Sequence, residues 1–464
     1  MQPERPDATL SRPRRPVPGG PRLSPPSSAL CLGALLLTLC CTSCTEGEGG
    51  PHGFSAPPTS TPGISAPDTD PSAPPLRFAT DDGVPLPSQA AGSRITINGR
   101  AISPLPLLLH DGIMYLASAS DLQLLRTGSS SKLRTISGGD EKAADTDGER
   151  WVVPPILTTV GTKELVLSAF AAGTPGSGRR VRIVAVDTES RTEIWNRSLT
   201  PRGTPATART MRVRVVGAEG GTLVLTVSGD GVTDTYAVDL PKGRVRWRMP
   251  GFEATTVAGS VVVGLSSPLA TENEVPEKGS AGGEEQRVRG VSLTRGKYVW
   301  TAAHTGYGLT VQDAGDTYVV VTRPTGVTTG LFALLRTSDG SQVRSWKGKD
   351  FGQSCHFDGS GITVCAGTDP QTVVAIDGTT GKILWQLPDS SAEVDGSAPE
   401  VPRVTTAWHG VVYGLRDDKA VVLDARNGTY LSEDAGIAPL LVDETAGIAF
   451  DLGDSRLKAF SAVR

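Results

Sequence analysis

Short, nearly continuous runs of β-branched residues alternate with Gly-, Asp- and Ser-bearing turns along most of this chain, as in SVVVGL, TYVVVTR and HGVVYGL. Strict apolar–polar alternation would mark strands with one wet face. Unbroken runs instead predict strands buried on both faces, inside a sheet packed between two others. Each run is followed by a turn and a second run, so the recurring unit is a hairpin.

The hairpins share a motif, Asp-x-x-x-Gly-x-x-x-Trp. Its cleanest copies are VVAIDGTTGKILW, with Asp377, Gly381 and Trp385, and YAVDLPKGRVRW, with Asp239, Gly243 and Trp247. Asp187 and Trp195 form a third copy with Arg191 in the Gly position, and Gly296 and Trp300 a fourth with Ser292 in the Asp position. Gly340 is followed by Trp346 two residues late, and Asp424 with Gly428 has no Trp. The Asp carboxylate is suited to accept from backbone N–H groups two or three residues on, and Gly supplies the positive φ of a bulged type I turn. The Trp ring is expected to be largely buried over a neighbouring unit, with its N–H on a backbone acceptor.

Anchored on the Asp position, the copies fall at 187, 239, 292, 336, 377 and 424, in steps of 52, 53, 44, 41 and 47 residues. Self-similarity at this period, with four short strands per unit, predicts an all-β fold: a β-propeller of four-stranded antiparallel blades. Eight hairpin units can be counted from Gly112 onward; seven is the alternative, because the first repeat is degenerate. The last unit stops at Arg464 without its Gly-to-Trp strand. An N-terminal strand should therefore close the last blade, and RITING, residues 94 to 99, is the expected one.

Ala375, Asp377, Thr380, Gly381 and Trp385 match, position by position, the repeat of the pyrroloquinoline-quinone-type propellers, and Ala237, Asp239, Gly243 and Trp247 match with Lys242 for Thr. The chain thus resembles the superfamily that includes the quinoprotein alcohol dehydrogenases. A non-enzymatic eight-bladed lipoprotein of bacterial outer-membrane barrel assembly is an analogy of the same kind. The resemblance implies the fold far more than any activity.

Composition changes sharply before the hairpins. Arg5, Arg12, Arg14, Arg15 and Arg22 precede the apolar run ALCLGALLLTLCC, too short to span a bilayer, so residues 1–43 read as an export signal. Thr42-Ser43-Cys44 resembles the end of a bacterial lipobox, which makes Cys44 the lipidation candidate and the outer face of the cytoplasmic membrane the expected location. Residues 44–92, rich in Pro, Ser, Thr and Gly, read as a disordered tether, and 93–464 as the propeller. Without residues 1–43 the chain holds 40 basic and 47 acidic residues, net −7, which argues against nucleic acid as a partner.

Cys355 and Cys365 flank the turn Asp358-Gly359-Ser360-Gly361, so they should face each other on one hairpin and form a disulfide in an exported protein. Two buried thiols is the plainer reading. Metal binding by Cys355, His356 and Cys365 falls short of four ligands. His110, His304, His356 and His409 read as turn or surface residues, and no nucleophile elbow, HExxH or P-loop occurs. Quinoprotein dehydrogenases carry a vicinal disulfide; the only Cys-Cys pair here, Cys40-Cys41, lies in the signal. No cofactor or metal is therefore expected. The chain reads as a monomeric, lipid-anchored scaffold presenting blade loops to protein or envelope partners; the alternative is a quinone-dependent dehydrogenase with its site at the central channel.

Overall fold

The computed structural model describes residues 73–91 and most of the chain from 96 to 464; the stretches outside it include 139–152, 267–284 and 389–400. Cys44 and the basic leader lie outside the described residues.

Eight four-stranded antiparallel sheets follow one another, over 107–137, 156–199, 212–250, 252–306, 310–347, 354–387, 403–432 and 441–461. These are blades one to eight. In the first seven, spatial order follows chain order, so each is a meander. First strands of neighbouring blades lie side by side around a central axis, and Leu441–Val442 of blade eight meets Leu107–His110 of blade one. The second strands are buried over most of their length, and Val261–Ser266 over all of it, as unbroken β-branched runs require. Core side chains fill the gaps between blades: Leu167 and Ile183 of blade two pack with Val213, Leu225 and Tyr236 of blade three. Each buried aliphatic of this kind contributes about 1.5–3 kcal/mol.

One backbone bond recurs in all eight blades. The residue after the motif's Asp position donates its N–H to the turn between the first two strands: Leu293 to Ser260, Thr337 to Thr317, Ala425 to Gly410, and likewise round the ring to Ala462 and Thr445. In blades one to seven the turn between strands one and two and the turn between strands three and four therefore lie on one face of the ring, the turn face.

An N-terminal strand does close the ring, but RITING is not that strand. Val84–Pro85 pairs antiparallel with Arg456–Ser461, Val84 opposite Ala459 and Pro85 opposite Lys458. Within RITING and the residues after it, Thr96–Ile97 pairs with Arg100–Ala101 as a separate two-stranded sheet. The intervening Asn98-Gly99 is the strongest short hairpin signal a sequence can carry, so local pairing wins. Pro85 is tolerated because an outermost strand needs N–H groups on one side only. Residues 73–91 consequently belong to the propeller, which corrects the tether boundary at 92. Their Pro- and Ser-rich composition conceals four buried residues, Pro75, Phe78, Leu86 and Ala90. Phe78 packs 6.1 Å from the Tyr413 ring of blade seven, and the Tyr413 hydroxyl donates to the Pro75 carbonyl at 2.9 Å.

Candidate functional site on the turn face and the channel wall

The motif's turn has one geometry in blades two to seven. The residue in the Gly position has positive φ and donates to the carbonyl of the Asp position at 2.7 to 2.9 Å. Arg191 adopts this conformation too, with φ 55, so the turn tolerates a side chain where space allows. The Asp carboxylates cap the turn: Asp187 accepts the Ser190 N–H at 2.8 Å and Asp377 the Thr380 N–H at 2.7 Å. Those bonds hold both carboxyls below the usual range. At Asp239 burial pulls upward, but the Lys242 N–H and the Arg246 guanidinium outweigh it and leave its carboxyl lowered.

Trp247 donates its indole N–H to Leu293 O at 2.7 Å, Trp300 to Thr337 O at 2.7 Å, and Trp385 to Ala425 O at 2.8 Å. Each bond joins one blade to the next, at the residue after the next Asp position. The ring then lies on the next blade's glycine: a methyl group on Gly296 would come within 2.4 Å of Trp247, and one on Gly340 within 2.4 Å of Trp300. Glycine is needed there for close approach as well as for φ. Across the strand pair each of these rings faces a small residue, Ala237, Gly290 or Ala375.

Three of the five motif tryptophans take this place. Trp346, two residues late, sits opposite Phe332 instead and packs edge-on against it at 4.5 Å. Gly381 is met there by Tyr318, Leu334 and Val343, and the Tyr318 hydroxyl donates to Thr379 O at 3.2 Å. Trp195 faces Ala185, yet Gly243 meets Arg197 rather than an indole. Trp247 and Trp300 are buried, whereas Trp195, Trp346 and Trp385 are half-buried. Gly428 fulfils the pattern against Trp385, although its own blade has no Trp to pass on.

Along the axis, the first strand of each blade has a free edge. Side chains from the neighbouring blade cap several of these edges. Arg214 of blade three donates to the Ala254 carbonyl of blade four, and Gln312 of blade five accepts the Cys355 N–H of blade six at 2.8 Å. Thr256 of blade four donates to Asp313 of blade five at 3.3 Å. Asp313 is open to solvent yet surrounded by protein, and that desolvation pushes its carboxyl up to about 6. Burial likewise pushes His356 down to about 4, so it is neutral at pH 7. Cys355 stands opposite Cys365, with sulfurs 2.10 Å apart, at disulfide distance, and Cα atoms 4.0 Å apart. Successive side chains alternate along a strand, so His356 projects away from the Cys355 side. Among the described residues no group of three His, Cys, Asp or Glu is placed to hold a metal ion.

Of the other described histidines, His110 and His409 sit beside or in turns, and His304 lies within the strand Tyr298–Gly306. Asp111 and His409 have φ 50 and 45, in equivalent hairpins of blades one and seven. His110 lies 2.8 Å from the Glu164 carboxylate of blade two, and His409 stacks on Trp408 at 4.1 Å. Two carboxylates act as latches between blades: Asp358, which the sequence shows only as a turn residue, and Asp443, which it does not single out. Asp358 accepts the Gly410 N–H at 3.0 Å, and Asp443 accepts the Gly112 N–H at 2.8 Å. Each also caps its own turn, through Ser360 and Thr445. An Asp opening the first turn of a blade, ahead of Ser or Thr two residues on, was the available signal.

Residues 284–439 match a family model of these repeats, described as outer membrane protein assembly factor BamB. The ring is a β-propeller, and within this matched stretch its repeats are of the PQQ type. The match covers blades five, six and seven and the last two strands of blade four, and so includes one of the two cleanest motif copies, that of blade six. No curated protein matches the chain. Among solved structures, a computationally designed protein, Ika8, is similar at 13% identity over 83% of this chain and 98% of its own, with a TM-score of 0.43. BamB from Moraxella catarrhalis is similar at 13% identity over 76% and 95%, TM-score 0.40. A europium-containing methanol dehydrogenase is similar at 10% identity over 83% and 84%, TM-score 0.38.

Proposed function

We propose that this chain is a lipid-anchored propeller on the outer face of the cytoplasmic membrane, a non-enzymatic scaffold that presents its blade loops to protein or envelope partners. The observation that carries the reading is the match of 284–439 to the model of an assembly factor. Three features support it. Thr42-Ser43-Cys44 follows an apolar export run; a Pro- and Ser-rich tether then leads to the ring; and the polar groups of the channel wall are engaged in capping neighbouring blades rather than converging on one point. The protein acts as a monomer, since each blade's sheet finds its packing partners within the ring.

Metabolic labelling with a fatty acid tests the anchor. The wild type should be labelled, and Cys44→Ala should be unlabelled and released from the membrane fraction; a labelled Cys44→Ala protein would refute the assignment. The quinone-dependent alternative is tested by the absorption spectrum of the purified protein before and after adding quinone and calcium. A bound-quinone band with alcohol-dependent bleaching would replace the scaffold reading.

A further inference from the structure

The outermost strands hold a pattern that the repeat motif does not require. In each of blades one to seven the outermost strand carries a β-bulge. In six of them the bulged residue is an exposed branched aliphatic: Leu133, Ile194, Val299, Val343, Leu384 or Leu431. In blade three the bulged residue is Arg246, and the exposed aliphatic is Val245 beside it. One exposed aliphatic is ordinary. Positive charge around it sets apart blade one and the consecutive blades three to five, and only the latter form a continuous arc.

Arg244 and Arg246 flank Val245, Arg295 and Lys297 precede Val299, and Arg344 follows Val343; all are exposed. From Asp position to Trp, these three blades hold seven Lys and Arg against two carboxylates, net +5, in a chain of net −4. Both carboxylates are already engaged, Asp239 with Arg246 at 3.0 Å and Asp339 with Arg336 at 3.5 Å. The same segments of blades six and seven are neutral, with Asp377 against Lys382 and Asp424 against Arg426. That of blade two carries three acids against Arg191, net −2, and separates this arc from the basic segment of blade one.

We propose that the rim of the turn face over blades three to five is a docking surface for a bilayer rich in anionic lipid. Its cations meet headgroup phosphates, and one aliphatic per blade enters the interface between them. A protein partner fits this pattern less well, because the core of a protein interface is contiguous and depleted of charge. Here each aliphatic is isolated among cations. The chain also reaches the ring on this face: the Val463 N–H donates to Arg77 O, next to the Ala462 bond to the blade-eight turn at Thr445.

The test uses residues 67–464, the compact unit that contains every strand of the ring and lacks Cys44, so its outcome is independent of the anchor. Flotation with phosphatidylglycerol–phosphatidylethanolamine vesicles is compared with flotation on phosphatidylcholine alone. Binding is expected to the first only, falling steeply between about 0.1 and 0.5 M salt. A basic residue near such a surface is worth about fivefold, so Arg244→Glu with Lys297→Glu should weaken binding at least about twentyfold. Val245→Ser with Val299→Ser, which leaves charge untouched, should weaken it several-fold. The control pair Lys382→Glu with Arg426→Glu should leave it unchanged, and equal thermal melts establish that all variants are folded. No uptake of the wild type by anionic vesicles overturns the proposal and leaves the rim to a protein. An equal loss in the control pair overturns it as well, by showing attraction without a defined surface.

Discussion

Two kinds of blade junction coexist in this ring. From blade three to four, four to five and six to seven, an indole crosses the gap, lies on a glycine and donates to a carbonyl. Among the described residues, no motif indole donates across the seam at blade eight. That seam is held by Val84–Pro85 along Arg456–Ser461, by Phe78 against Tyr413, and by the Asp443 carboxylate on Gly112. The first kind joins residues 37 to 46 positions apart, whereas the seam joins Tyr413 to Pro75 across 338. Repeat-coded contacts suffice where the next unit follows directly. Closing a ring needs a segment outside the repeat. Its greater loop length adds only slowly to the entropic cost, roughly (3/2)RT times the logarithm of length.

The largest effects should come from the two aromatic anchors. Trp300→Ala should cost about 3–5 kcal/mol, while Trp346→Ala, half-buried and off the pattern, should cost at least 1 kcal/mol less. Equal denaturation midpoints for the two variants would break the distinction between junctions. Phe78→Ala should cost a similar 3–5 kcal/mol. Hydrogen exchange should then rise first in Ala446–Asp451 and Arg456–Ser461, and a uniform rise around the ring would show that the seam is no weaker than the rest.

Reducing the Cys355–Cys365 pair closes no junction, so it should cost less, about 2–3 kcal/mol for so short a loop. Non-reducing digestion should give the two cysteines in linked peptides; two freely alkylated thiols would refute the bond. The smallest effect concerns Asp313, whose folded-state value of about 6 lies above its unfolded value. The unfolded chain ionises first as pH rises, so stability is lost between about pH 4 and 6 and stays lower above that. Asp313→Asn should therefore stabilise at pH 7, by on the order of 1 kcal/mol given its solvent access, and not at pH 3.5. A gain of the same size at both pH values would exclude the desolvated carboxylate as its source.

Legibility followed the range of the interaction. The hairpin turns, the cysteine register and the eight blades depend on neighbours within one unit, and their residues repeat: Asp377-to-Gly381 and Asp358-to-Gly361 can be read as turns wherever they stand. The channel wall could not be read this way, because Arg214, Thr256, Gln312 and Asp313 acquire their roles only from a carbonyl, carboxylate or N–H on another blade.

By itself, the sequence determined the blade, its four strands and its turn chemistry, since β-branched runs and positive-φ glycines act locally, and it left eight repeats beside seven for the structure to decide. The tertiary structure alone decided which tryptophans seal a junction, which carboxylates latch two blades, and that Val84–Pro85 rather than RITING closes the ring. In each case the deciding quantity is a distance between units. Two residues of register move Trp346 off its glycine, and an Asn-Gly signal between Thr96–Ile97 and Arg100–Ala101 keeps that segment paired to itself.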